Sequence, residues 1–424
     1  MSSCAKDWGT QRVDNMAVKE EFFVHTLPNG IRCVLKTVRS AVCYCSMTIG
    51  AGSRDEQEGE RGIAHLLEHT LFKGTEKRKA WQVNCRLENL GGEINAFTTK
   101  EETVIHATSM RSDFGKAVEL IDDIIFHSTF PEEEVEKEKE VICDEINMYK
   151  DSPEERIYDD FEDLLFADSE LGHNILGSKR HLSKLHSADI KRFVARNYTT
   201  DRMVFATIGN ITPKSFVATV ERYFGAEKRT QREQKREVPK VVEPFCKSVS
   251  HPSHHQVRSI MGARAYALDD KRRLALILMT NILGGPSAAS RLNVALRERK
   301  ALTYCVEALY TPMSDCGMFS IYFSCEKEKL EQCREVIGVE LERIMNEPLT
   351  ARQLSIAKKQ FVGQFAISTE NNEAYMLSVG KSYLVFGGVD STEEVYRKVE
   401  EVKAEDIMAV ARDILPTLSS LTYI

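Results

Sequence analysis

Apolar and polar positions alternate along Gly30–Lys36 and Val42–Ile49, the period of half-buried strands, and change to helical spacing through Gly62–Phe72. A strand pair follows around Glu93–Ser109, then a helix over Asp113–Ser128, a break at Phe130-Pro131, and a long helix from Glu132 to about Lys150. The same order returns later in the chain. Strands around Gln256–Ala265 lead to helices over Asp269–Leu283 and around Ser290–Arg299, then to a strand pair within Leu302–Ser324. A helix over Lys327–Asn346, a break at Pro348-Leu349-Thr350 and a long helix from Ala351 to about Phe365 complete the repeat. Setting Val135 against Leu354 puts Glu145 opposite Gln364. Strands in series with helices over one face predict an α+β fold. It would consist of two duplicated α/β-sandwich domains, each an antiparallel-rich sheet covered by helices, arranged like a clamshell.

Between the repeats, residues 226–240 read A-E-K-R-T-Q-R-E-Q-K-R-E-V-P-K, a charged stretch without apolar periodicity, as in a solvated linker. The expected division is therefore a domain over residues 16–225, a linker over 226–240 and a second domain over 241–424. The length of 424 residues accommodates two such cores. Residues 1–15 precede Met16, a candidate natural start, and are set aside. The first 20 residues contain Lys6, Asp7, Arg12, Asp14, Lys19 and Glu20 and no apolar run, so neither a secretory signal nor a transit peptide is expected there. Eleven cysteines, an odd number at irregular spacing, fit a reducing cytoplasm better than a disulfide framework. Most should be small buried hydrophobes, with Cys143 an example.

Composition narrows the partners. A hydrophobic fraction of 42%, a charged fraction of 29% and a mean hydropathy of -0.32 describe a soluble globular chain. The longest apolar stretch, Leu274–Met279, is interrupted by Thr280 and Asn281, far short of the roughly 20 residues of a bilayer span. The formal charge of -7 argues against nucleic acid as the main partner and is compatible with basic peptides.

The candidate chemistry lies in residues 62–72, G-I-A-H-L-L-E-H-T-L-F. His65 and His69, four apart, share a helical face where both imidazoles can reach one ion. Glu68, one residue before the second histidine, can take a proton from a metal-bound water without being a ligand. An isolated helix-face histidine is more often structural, but this five-residue pattern arises by accident in only roughly a few per cent of such chains. A catalytic zinc needs a third ligand, and a carboxylate would leave the fourth position open. The helix after Pro131 carries several. Glu138 and Glu145 lie two turns apart beside the apolar face of Val135, Val141, Ile142, Ile146 and Tyr149. Spacing alone leaves Glu145 and Asp144 both open. In the second half, H-P-S-H-H carries His251, His254 and His255 without a carboxylate or cysteine at ligand spacing, and reads as a surface cluster.

The run R-G-I-A-H-L-L-E-H-T-L-F-K-G-T resembles the signature of the pitrilysin/insulinase metallopeptidase family, in particular its short two-domain, processing-peptidase-like bacterial members. The resemblance extends from L-P-N-G-I-R at residue 27 through Ala51–Glu56 and Gly91–Thr99 to I-L-G-G-P-S-A-A-S-R-L and L-R-E-R-K-A-L-T-Y in the second half. It implies one zinc per chain, held by His65, His69 and Glu145, the last 76 residues past the second histidine. It implies Glu68 as the base and Glu138 as the residue that orients a histidine ligand. It also implies Arg297 and Tyr304 as substrate-holding donors, and Asn95 as an asparagine beside the strand that pairs with substrate. The implied activity is cleavage of short or unfolded peptides, by a homodimer or a heterodimer with a related subunit. Two departures touch the substrate grip: Ala301 stands where the family usually has glycine, and Pro286-Ser287 interrupts what is often a longer glycine run. A non-catalytic assembly subunit is one alternative, and the intact His65, Glu68, His69 and Glu145 speak against it; a peptide-binding module is another, distinguished by binding without turnover after zinc is restored.

Overall fold

The computed structural model describes residues 22–167, 169–228, 236–250 and 256–424. The first half runs β1 (Phe23–Thr26), β2 (Arg32–Thr37), β3 (Val42–Ile49), α1 (Ile63–Thr70), α2 (Ala80–Glu88), β4 (Glu93–Thr98) and β5 (Thr103–Met110). It continues through α3 (Phe114–His127), α4 (Glu132–Lys150), α5 (Pro153–Leu165), α6 (Lys179–Leu182), α7 (Ser187–Asn197), β6 (Met203–Gly209) and α8 (Pro213–Phe224). The second half begins with β7 (Cys246–Val249), β8 (Val257–Ala265) and α9 (Arg273–Gly284), followed by a π-helical turn, Asn293–Glu298. After it come β9 (Thr303–Pro312), β10 (Gly317–Cys325), α10 (Leu330–Asn346), α11 (Ala351–Thr369), α12 (Asn372–Phe386), α13 (Thr392–Glu401), α14 (Ala404–Ile414) and β11 (Ser419–Tyr423).

The strands form two sheets, ordered β1-β2-β6-β3-β5-β4 and β7-β11-β8-β10-β9. Replacing β2 to β6 by β7 to β11 turns the first order into the second, with β1 as an added edge. In both, the first strand of the repeat pairs parallel with the last, β2 with β6 and β7 with β11, and the other pairings are antiparallel. This is the duplication that the repeated pattern predicts. Both predicted breaks precede helices. Pro131 opens α4, and Thr350 caps α11, its hydroxyl accepting from the Gln353 N–H at 3.3 Å while Gln353 Oε1 accepts from the Thr350 N–H at 2.9 Å.

One face of each sheet is covered by helices of its own half. Ile63, Ala64, Leu66 and Leu67 of α1 join Ile121 and Ile124 of α3 and Ile142 of α4 over Met47, Ile105 and Ala107. The opposite faces are covered by exchange between the halves. α5 buries Ile157, Phe161 and Leu165 against Ile260, Met318 and Leu421 of the second sheet. α12, which follows the two long helices of the second half as α5 follows those of the first, buries Tyr375, Met376 and Val379 against Val34, Val204, Ala206 and Ile208 of the first sheet. At the closest point a Cβ on Gly380 would lie 2.6 Å from Thr48 Oγ1, so only glycine lets α12 approach β3. Covered on both faces, β6 is buried along its entire length, which accounts for its nearly continuous apolar sequence, M-V-F-A-T-I-G.

The halves are also joined by buried charge. Arg54, 6% exposed, pairs with Glu101 Oε1 at 2.6 Å and with Asp315 Oδ2 at 2.6 Å across the division. Arg236 reaches Asp55 at 2.9 Å and Glu101 at 3.1 Å. The residues read as a solvated linker therefore end in a structural anchor, because two carboxylates of the first half take up Arg236. Residues 229–235 of that stretch, residues 1–15 with Met16, and His251, His254 and His255 lie outside the described residues. Among the described cysteines, Cys33, Cys43, Cys45, Cys316, Cys325 and Cys333 are buried, whereas Cys143 is only half-buried on α4. Among the described residues no helix is long and apolar enough to cross a membrane.

Candidate active site

Helix α1 is short, and its start is set by chemistry. Gly62 begins it at φ 92°, and an added Cβ would meet the Leu176 carbonyl oxygen at 2.8 Å, so no side chain fits. The free N–H groups of its first turn are met from outside the helix: Glu56 accepts from the Gly62 and Ala64 N–H groups, at 3.0 Å each. Burial raises the Glu56 carboxyl to about 8 against the pull of these two donors. The sequence reading covered Glu56 within Ala51–Glu56 but gave it no role, because it lies outside the local spacing of a helix cap.

His65 and His69 project from α1 with ring centroids 4.6 Å apart, toward Glu145 on α4. Glu145 Oε2 lies 3.9 Å from His65 Nε2 and 3.7 Å from His69 Nε2, too far for hydrogen bonds. Donors of a tetrahedral zinc site with bonds near 2.1 Å stand about 3.4 Å apart, so these three atoms fit around one such ion. The neighbouring candidate, Asp144, is exposed, while Glu145 is half-buried on the side facing α1.

The protonation of the histidines suits ligation. Burial, with His69 beside it, lowers His65 to about 4, which leaves a neutral imidazole with a free lone pair at ordinary pH. His69 Nδ1 lies 3.1 Å from Glu138 Oε2. An N–H donated there leaves Nε2 as the atom that faces Glu145. Glu138 is itself buried and held by the Lys73 ammonium at 2.6 Å, a partner the sequence reading missed. Among the described residues no hydrogen bond reaches the buried His65 Nδ1.

Glu68 lies one residue before His69 on the same helix. Burial raises its pKa above the ordinary carboxylate value, Glu145 adds to the effect, and Thr98 and His69 oppose it. A carboxylate less comfortable in its charged form is a better proton acceptor.

The remaining candidates occupy three other elements. Asn95 is exposed in β4, the edge strand of the first sheet, directly paired with His106. It shares the face of His106, which meets Glu373 of α12 at 3.1 Å, and so lies on the face opposite Ile94 and Ala96 of the core. Arg297 is exposed on the π-helical turn, a rare geometry that recurs at functional sites. Tyr304 is 79% exposed in β9, the edge strand of the second sheet. Among the described residues none of these three is joined to His65, His69 or Glu145 by a hydrogen bond or ion pair. Ala301, between Arg297 and Tyr304, has φ 48°, the left-handed conformation that favours glycine.

Two family models cover most of the chain. The insulinase model (peptidase family M16) matches residues 32–179, and the M16 inactive-domain model matches residues 184–361. The chain belongs to peptidase family M16. A Bacillus subtilis protein named as the uncharacterized zinc protease YmxG is 32% identical, over 92% of this chain and 95% of its own length. An uncharacterized zinc protease of Mycobacterium tuberculosis is 34% identical, over 92% and 90%. In fold, this M16 chain is similar to a crystallised Helicobacter pylori protease at a TM-score of 0.86 and 21% identity, covering 95% of this chain and 99% of that one. A peptidase M16 inactive domain from Pseudomonas fluorescens gives the same TM-score and identity, over 95% and 97%. In the second half of this M16 chain Gln364 stands opposite Glu145, just past the inactive-domain match, and its Oε1 accepts a hydrogen bond from Asn281 of α9 at 3.1 Å.

Proposed function

We propose that this chain is a zinc metalloendopeptidase that cleaves short or unfolded peptides. The observation that carries this reading is the convergence of His65, His69 and Glu145 from two helices on one point, with Glu68 beside them. One zinc would be held there by His65 Nε2, His69 Nε2 and a Glu145 carboxylate oxygen. An ion in such a site polarises the scissile carbonyl and lowers the pKa of a bound water.

The chain's own groups do the rest. Glu138, fixed by Lys73, holds His69 in the tautomer that ligates. Glu68 accepts the proton of the attacking water and returns it to the leaving amine. An extended peptide can add to the edge strand β4, beside which Thr98 neighbours Glu68, with Asn95 in the same strand. From the second half, Arg297 and Tyr304 would donate to the peptide's carbonyls, giving that half a gripping role without metal. The net charge of -7 favours basic peptides. The test is incubation with a mixed peptide library, with and without a chelator, read by mass spectrometry. Cleavage that the chelator abolishes and zinc restores is the expected result. Binding without turnover in the presence of zinc would instead make the chain a peptide-binding module.

A further inference from the structure

Asp122 and His127 lie on the last turns of α3, and Glu227 follows α8 at the start of the connection between the halves. The Asp122 Oδ2 and Glu227 Oε1 atoms each stand 3.8 Å from His127 Nε2. The separations match those around Glu145, 3.7 and 3.9 Å, and again exceed hydrogen-bonding distance. Three potential ligand atoms from two parts of the chain thus face one another around a gap instead of pairing directly.

Their surroundings are fixed independently. The Asn29 side-chain amide donates to the Glu227 carbonyl oxygen at 2.6 Å and to the Phe224 carbonyl oxygen at 2.7 Å, which pins the backbone that presents Glu227. The His127 carbonyl oxygen accepts from the Glu76 N–H at 2.9 Å. The Glu76 carboxylate lies 3.9 Å from His127 Nδ1, on the side of the ring that Glu138 occupies at His69. Asp122 is 6% exposed, and among the described residues its buried Oδ1 has no hydrogen-bond partner; the same holds for Oδ1 of the adjacent Asp123, whose Oδ2 accepts from Arg78 and Thr75. The buried Asp122 thus faces Glu227 and His127, with the Lys77 ammonium nearby.

We propose that Asp122, His127 and Glu227 form a second divalent-metal site, for an ion such as Zn²⁺ or Mn²⁺. One imidazole and two carboxylates are the donor set that such ions accept. The contrast with Glu132, Glu136 and His186 supports the choice. There the histidine already pairs with a carboxylate at 2.7 Å, and all three residues are exposed, as in an ordinary surface ion pair. An ion at the second site would tie the end of α3 to the end of α8, at the exit from the first sheet, and its role is structural. Ligands that exist only in the folded chain make metal binding a stabilising linkage.

Zinc is counted by elemental mass spectrometry on the full-length chain after equilibration with Zn²⁺ and gel filtration, and peptide cleavage is measured alongside. The wild type is expected to hold two ions. His127→Ala and Glu227→Gln should each hold one and still cleave peptide, and His65→Ala/His69→Ala should also hold one while cleavage is lost. Glu227 is half-exposed, so Glu227→Gln serves as the informative variant if His127→Ala fails to fold. An unchanged zinc count in folded Glu227→Gln, or no zinc in folded His65→Ala/His69→Ala, overturns the second site. Neither result touches the proposed catalytic centre, whose failure would appear as zinc retained in the His65→Ala/His69→Ala variant at the wild-type level.

Discussion

Gln364 accepts a hydrogen bond from the Asn281 amide at 3.1 Å, on the pair of helices that corresponds, in the second half, to the pair carrying His65, His69 and Glu145. Where the first half leaves three ligand atoms apart from one another, the second closes the same space with a direct bond between neutral amides. Duplication of the fold was therefore not duplication of the metal chemistry.

Gln364→Glu should leave the zinc count of the chain unchanged. A single carboxylate facing an amide offers too few ligands for zinc. Elemental analysis decides the point, and an additional equivalent of zinc would show that the second half needs only this one side chain to become a metal site.

Glu145→Gln should empty the site at His65 and His69, while the exposed Asp144→Asn should retain it. Glu138→Gln should bind zinc roughly 10–100-fold more weakly, because it removes the carboxylate that orients His69. Titration against a competing zinc chelator measures all three. Equal affinity in the Glu145 and Asp144 variants would mean that the helix is read one residue out of place.

Much of this architecture was legible in the chain. The order of strands and helices, repeated with its two proline breaks, is the observed duplication, and the spacing of His65 and His69 put both imidazoles on one helical face, where their ring centroids lie 4.6 Å apart. Periodicity could not separate Glu145 from Asp144, since adjacent residues on a helix edge look alike until a second helix packs against one of them. The exchange of α5 and α12 between sheets was not readable, because an apolar stripe states that it is buried and not against what. Arg236 sat in a charged run that resembles a solvated connector, and its partners Asp55 and Glu101 are far away in sequence. Glu56 and Lys73 went unassigned for the same reason: each acts through a contact that local spacing does not encode.

The exchanged helices make the halves interdependent. Residues 16–225 alone would expose Val34, Val204, Ala206 and Ile208, which α12 covers in the full chain. Burying each of the Val and Ile side chains contributes about 1.5–3 kcal/mol, so the loss is comparable to the roughly 5–15 kcal/mol stability of an ordinary domain. The isolated half is expected to be aggregation-prone and inactive. A soluble, monomeric and cooperatively folded first half by circular dichroism and gel filtration would contradict this.

Ala301→Gly should stabilise the protein by about 0.5–1 kcal/mol. Relief of the left-handed strain at φ 48° outweighs the extra freedom that glycine gives the unfolded chain. Chemical denaturation of the two proteins compares them, and a destabilised glycine variant would show that Ala301 packs better than its backbone implies.

In the proposed mechanism Glu68 is the base and His65, His69 and Glu145 hold the metal, and one variant separates the two roles. Turnover of a peptide substrate and bound zinc should be measured together on Glu68→Gln. A fall in kcat on the order of 10²–10⁴-fold, with zinc content equal to the wild type, is the predicted result, because an amide cannot accept the proton of the attacking water yet leaves all three ligands in place. Near-normal turnover, or zinc lost from a variant that remains folded, would contradict the assignment.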